Sequence, residues 1–120
     1  MTKRTGSTNP ELKELIYEVK ELASIKKVNL WKRVAYELEK PTRKRRTVDI
    51  FRINKYTKEK EIALVPGKVL SDGDLTKKIT VAAFQFSDKA KDKISKIGRA
   101  ISIKELIKMN PEGKGVRIIG

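Results

Sequence analysis

Four consecutive cations, Arg43-Lys44-Arg45-Arg46, form the densest group of chemically capable side chains in the sequence. A guanidinium is planar and pairs in two-pronged fashion with phosphate oxygens, so three arginines in four positions suit a polyphosphate backbone. The stretch from Lys40 to Lys60 holds nine basic residues against two acids, Asp49 and Glu59, a net +7. Arg52, Lys55 and Lys58 extend the same track. Tyr56, between Lys55 and Lys58 in a polar stretch, is the residue best placed to stack on an unpaired base. Trp31 and Phe51 are aromatic too, but they fall where core residues are expected. A charge run is often only a solvated loop or a localisation signal. This run lies between a helix and a segment anchored by Val48, Ile50, Phe51 and Ile53, which favours phosphate binding.

Other chemistries find few residues to work with. The chain has no His and no Cys, so the commonest general base and the commonest soft nucleophile are missing. No serine occupies a nucleophile elbow. Asp72-Gly73-Asp74 offers two carboxylates, too few for a hard-cation site, and reads as a turn. Pro66-Gly67-Lys68 and Gly113-Lys114-Gly115 lack P-loop spacing and also read as turns, each with an exposed lysine. The expectation is a protein that is not an enzyme, with no cofactor, no metal and no small-molecule substrate.

The charge balance names the partner class. Lys and Arg number 29 against 15 Asp and Glu, a formal +14 with an isoelectric point near 10.1. Compacting that much like charge costs free energy, and a polyanion both removes the cost and releases its condensed counterions. Nucleic acid is the first choice. A membrane-surface module is the alternative, and it requires a basic amphipathic helix. A duplex-DNA chromatin protein is a second alternative. No stretch approaches a membrane span, the first residues carry no apolar h-region, and the lack of Cys suits a reducing compartment. A soluble intracellular protein is expected.

The elements that must position the cations follow from periodicity. Residues 1–9 read as a flexible basic arm carrying Lys3 and Arg4. Asn9-Pro10 opens a helix with Leu12, Leu15, Ile16, Val19, Leu22 and Ala23 on one face. Its other face is net acidic, with Glu11, Glu14, Glu18 and Glu21, so it is expected to point away from nucleic acid. Asn29 is expected to cap a second helix, with Lys32 and Arg33 outward and Pro41 ending it. The basic segment 41–60 follows as a loop. Residues 61–120 read as α/β: a strand over 61–65 closed by a Pro66-Gly67 turn, then a central strand over 78–86. A helix capped by Ser87 follows, with Gly98 as its left-handed stop, then a short strand around Ile101. A capping box at Ser102 and Glu105 opens a last helix, and 116–119 is a closing strand. The fold class is α/β (α+β): a helical part over 10–40, the basic segment over 41–60 and an α/β part over 61–120, in one compact domain.

Seven collinear segments, Thr8-Asn-Pro-Glu-Leu12, Leu38-Glu-Lys-Pro41, Ile53-Asn-Lys-Tyr-Thr-Lys58, Val65-Pro-Gly-Lys-Val-Leu70, Ile79-Thr-Val-Ala-Ala83, Phe86-Ser87 and Val116-Arg-Ile-Ile119, resemble the eighteen-e family of large-subunit ribosomal proteins. The resemblance implies a fold shared in its C-terminal part with the bacterial fifteen protein of the large subunit, an irregular layered β-β-α arrangement. It implies a structural constituent of the large ribosomal subunit in the cytoplasm, archaeal rather than eukaryotic because no long tail follows Ile119. Its partners would be large-subunit rRNA and neighbouring ribosomal proteins, not a membrane and not a second copy of itself. Arg43, Lys44, Arg45 and Arg46 are then expected as phosphate clamps, with Arg52, Lys55, Tyr56 and Lys58 continuing the track. Lys3, Arg4, Lys32, Arg33, Lys68, Lys77 and Lys78 form a second group. Ser71 stands where the family usually has Gly, which weakens a close backbone approach there. Arg99 stands where a second Gly is usual and adds a possible phosphate contact.

Overall fold

A computed structural model describes residues 10–40 and 46–119, and at Arg46 the backbone alone. The expected arm over 1–9, Asn9 as a cap, and residues 41–45 lie outside the described residues.

The elements run α1 (Pro10–Lys26), α2 (Asn29–Leu38), β1 (Arg46–Asp49), α3 (Ile50–Tyr56), β2 (Ile62–Leu70), β3 (Thr80–Phe86), α4 (Asp88–Ile97), β4 (Arg99–Ser102), α5 (Ile103–Met109) and β5 (Val116–Ile118). Among the described residues the five strands are all parallel, in the order β1-β2-β3-β4, with β5 also on β2. The α/β class therefore holds, as a wholly parallel sheet between two helical layers.

Handedness explains the layers. The chain steps from β1 to β2 through α3 and from β3 to β4 through α4, always in the same direction across the sheet. Right-handed crossovers put both helices on one face. The connection through α5 to β5 runs back the other way, so the same rule sends α5 to the opposite face. The core obeys this. Ile50, Ile53, Ala90 and Ile94 pack on Ala63, Val65, Val81 and Ala83, while the α1–α2 pair and α5 pack on Leu64, Ala82 and Ile101. Neighbouring sheet residues alternate between the two cores, as a pleat requires. α1 and α2 pair across Leu15, Val19, Ala23, Trp31, Val34 and Leu38, all buried.

Local signals held unevenly. Ser87 and Ser102 cap α4 and α5, their hydroxyls accepting from the N–H groups of Ala90 (3.2 Å) and Glu105 (3.1 Å). Asn29 does not cap α2; Val28 holds the cap position, without a side-chain bond. Gly98 is not left-handed (φ −127°). Its requirement is steric, because a Cβ there would collide with the Ile79 carbonyl oxygen. Pro66-Gly67 is not a turn. β2 runs through it, advancing three positions from Val65 to Lys68 while β3 advances two from Ala83 to Gln85. Proline has no N–H for the ladder, so the strand accommodates it in a bulge.

That bulge divides one edge of β2. β5 pairs with Ile62 to Leu64, and β1 pairs with Gly67 to Leu70, so the two short strands lie end to end. Arg46, opposite Gly67, enters the sheet three β2 positions beyond Ile118, which is opposite Leu64. That is about 10 Å along the strand.

Candidate nucleic-acid interface

The basic segment, expected as a loop over 41–60, is in its second half a strand and a two-turn helix. Ile50 and Ile53, one turn apart, are fully buried and tie α3 to the sheet. With those two inward, Phe51, Arg52, Lys55 and Tyr56 form the outer face. Phe51, expected in the core, is 62% exposed, and Tyr56 is 51% exposed. Trp31 is fully buried, and its indole N–H donates to the Pro111 carbonyl at 2.7 Å.

The outer face of α3 is charged without being neutralised. Among the described residues no carboxylate forms an ion pair with Arg52 or Lys55. Instead the Arg52 guanidinium lies 5.5 Å and the Lys55 ammonium 5.4 Å from the centre of the Tyr56 ring. This is cation–π range, and both cations stay available to a phosphate.

A buttress holds this face in place. The Phe51 N–H donates to the Asp72 carbonyl at 2.9 Å, and Gly73, at φ +94°, lies against Phe51 where a Cβ would not fit. The Asn54 amide and Thr76 exchange bonds of 3.0 Å in both directions. The Lys77 ammonium donates to the carbonyls of Asn54 (2.9 Å) and Thr57 (3.0 Å), satisfying groups left open at the end of a helix. Lys77 therefore has an internal role that its sequence neighbours do not reveal. The Asp72-Gly73-Asp74 turn is itself held by Lys93, which donates to the carbonyls of Ser71 (2.9 Å) and Gly73 (3.1 Å). Among the described residues no cluster of three or more His, Cys, Asp or Glu forms a metal site.

Sequence reasoning missed Glu61 and Arg117. The Arg117 guanidinium grips the Glu61 carboxylate with two bonds of 3.0 Å, and the Lys58 N–H donates to the same carboxylate at 2.8 Å. Those bonds, Arg117 first, hold the Glu61 carboxyl down at about 2. The two residues are 56 positions apart, so no local pattern announces them. Arg117 joins Arg52, Tyr56, Ile118 and Ile119 around a recess of about 200 Å³.

The remaining expected residues are spread out. Lys68 is exposed in β2, between Thr47 of β1 and Gln85 of β3, both exposed. Lys78 and Arg99 are exposed near the start of β3 and on β4, at the other edge. Lys32 and Arg33 are exposed on α2, in the opposite helical layer, and Arg33 lies 3.4 Å from buried Glu37. Lys3, Arg4, Arg43, Lys44 and Arg45 lie outside the described residues, as does the Arg46 side chain.

The acidic face of α1 is engaged within the molecule. Lys104 of α5 pairs with Glu14 (3.2 Å) and Glu18 (3.6 Å), which raises the Lys104 pKa. Lys20 pairs with Glu39 at 2.9 Å. Among the described residues no helix is long and apolar enough to cross a membrane.

The family described as "Ribosomal protein 60S L18 and 50S L18e" matches residues 1–120. The chain is 46% identical over 120 residues to a protein named "Large ribosomal subunit protein eL18" from Sulfurisphaera tokodaii, covering 99% of this chain and 98% of the relative. Proteins of the same name from Haloarcula marismortui and Methanococcus maripaludis are 46% and 43% identical, covering 95% and 98% of this chain and 98% of each relative. The seven collinear segments and these full-length matches agree: the chain belongs to the L18/L18e family of ribosomal proteins.

Proposed function

We propose that this protein is a structural constituent of the large ribosomal subunit, cytoplasmic, that binds and stabilises large-subunit rRNA through phosphate contacts. The observation that carries the reading is the outer face of α3. There Arg52 and Lys55 have no carboxylate among the described residues, and they continue a segment that carries half the net charge of the chain. Family membership supplies the context. Arg43 to Arg46 act as the phosphate clamp, joined to the folded body at β1; Arg52, Lys55 and Lys58 extend it, with Tyr56 beside them. Lys68 lies next to β1 and belongs with this group. Lys3, Arg4, Lys32, Arg33, Lys78 and Arg99 reach further RNA or neighbouring proteins from other faces. Nothing in the reading requires catalysis.

The test is affinity for deproteinised large-subunit rRNA across a salt series. Replacing Arg43, Lys44, Arg45 and Arg46 with Ala should flatten the slope of log affinity against log salt by about 0.7–0.9 per lost contact. An unchanged slope overturns the clamp. Displacement of the chain by duplex DNA at equal phosphate concentration points to a chromatin protein instead.

A further inference from the structure

We propose that the recess lined by Arg52, Tyr56 and Arg117 over Ile119 receives one unpaired base of large-subunit rRNA. This deepens the RNA reading and rests on it, adding a base contact to the phosphate contacts.

The two arginines at the recess are not equivalent. Arg52 has no carboxylate among the described residues, so its charge is available to a phosphate. The Arg117 charge is already answered by Glu61, bound through two parallel 3.0 Å contacts. What Arg117 still offers is its planar face, which that two-pronged grip holds in a fixed orientation. A guanidinium plane of this kind stacks on aromatic rings and on nucleic-acid bases. Glu61 is itself fixed by the Lys58 N–H, so the platform is set before any ligand arrives.

The remaining walls agree. Tyr56 is half exposed and supplies a second stacking surface, and Ile119, buried on the α3 side of the sheet, supplies an apolar floor. At about 200 Å³ the space is smaller than the 300–1,000 Å³ that holds a drug-sized ligand, which suits one ring system better than a whole nucleotide. The Arg46 backbone enters the sheet about 10 Å along β2 from Ile118, which puts the recess within reach of a nucleic-acid strand held at β1. A base reaches the recess only if it is unpaired, because a paired base keeps its faces in the helical stack.

The experiment uses the full chain and deproteinised large-subunit rRNA, with affinity measured across a salt series and ultraviolet cross-links mapped to residue and nucleotide. Base–aromatic stacking leads us to expect Tyr56→Ala to weaken binding roughly 5- to 100-fold at every salt concentration, with the slope unchanged. Tyr56→Phe, which keeps the ring, should stay within about two-fold of the parent, because the ring face makes the contact. Glu61→Gln releases the Arg117 plane and uncovers one positive charge, so it should weaken binding at high salt while steepening the slope. The cross-link should join Tyr56 to an unpaired nucleotide. A steep parental slope with Tyr56→Ala binding like the parent overturns the recess alone. So does a Tyr56→Ala loss accompanied by a flattened slope, which would make the residue a support for phosphate contacts. A parental chain with no salt-dependent affinity overturns the RNA reading, and the recess with it.

Discussion

The outer faces of α1 and α3 are both crowded with charge, and the structure treats them in opposite ways. On α1, Glu14 and Glu18 are answered by Lys104 of α5, and Lys20 by Glu39. On α3, Arg52 and Lys55 meet no carboxylate among the described residues and lie instead against an exposed tyrosine. The lesson is that charge count alone does not locate a binding face. A cation paired within the fold has already exchanged hydration for a partner, whereas an unpaired one retains its capacity for a phosphate. The two faces also sit in different helical layers, on opposite sides of one sheet.

The largest expected effect removes the support of the α1–α2 layer. Trp31 is fully buried between the helical pair and the sheet, and its indole N–H is bonded to Pro111. Trp31→Ala should lower the unfolding free energy by about 3–5 kcal/mol, read by denaturant titration. The contrast between the faces is sharpened by two double variants measured on the same rRNA. Arg52→Ala with Lys55→Ala should flatten the salt slope by about 1.4–1.8, two contacts at 0.7–0.9 each. Glu14→Gln with Glu18→Gln should leave the slope unchanged; a comparable change there breaks the comparison.

A smaller effect separates positioning from contact. Lys77→Met removes two charge-assisted bonds from the end of α3. It should cost about 1 kcal/mol of stability, reduced from the value for buried charged bonds by partial exposure. Its effect on the salt slope should be smaller than that of Lys55→Ala. The smallest effect is acid sensitivity at the recess. The Glu61 carboxyl is held down at about 2 by Arg117 and the Lys58 N–H. A depressed folded value means the contribution is present above the ordinary glutamate range. It is lost as pH falls through about 2. Glu61→Gln should therefore lose less thermal stability than the parent between about pH 4 and pH 2. Parallel melting profiles would place the acid sensitivity elsewhere.

The sequence was most legible where physics is local. Ser87 and Ser102 announce their helices because a cap involves residues three apart. The strand ending at Phe86 reads as central because it is apolar on both faces, and β2 and β4 flank it. Legibility failed where the deciding partner lies far away in the chain. α3 was hidden because only Ile50 and Ile53 turn inward, while Phe51 mimics a core residue and faces out. Gly98 was recognised as necessary for the wrong reason, since its constraint comes from the backbone of Ile79. Pro66-Gly67 looked like a turn because a bulge and a turn use the same residues. Within the interface, the cations were visible from composition, but which of them are already paired was not. Arg117, matched to Glu61 across the sheet edge, is the clearest case.

Lysine-reactivity footprinting tests the distinction between the two faces most directly. Methylation rates are measured at Lys55, Lys68, Lys20 and Lys104 in the free chain and in its complex with large-subunit rRNA. Protection on binding at Lys55 and Lys68, with Lys20 and Lys104 unchanged, is the predicted result. Protection confined to Lys20 and Lys104 would place the RNA on the α1 side and contradict the assignment of α3 as the interface.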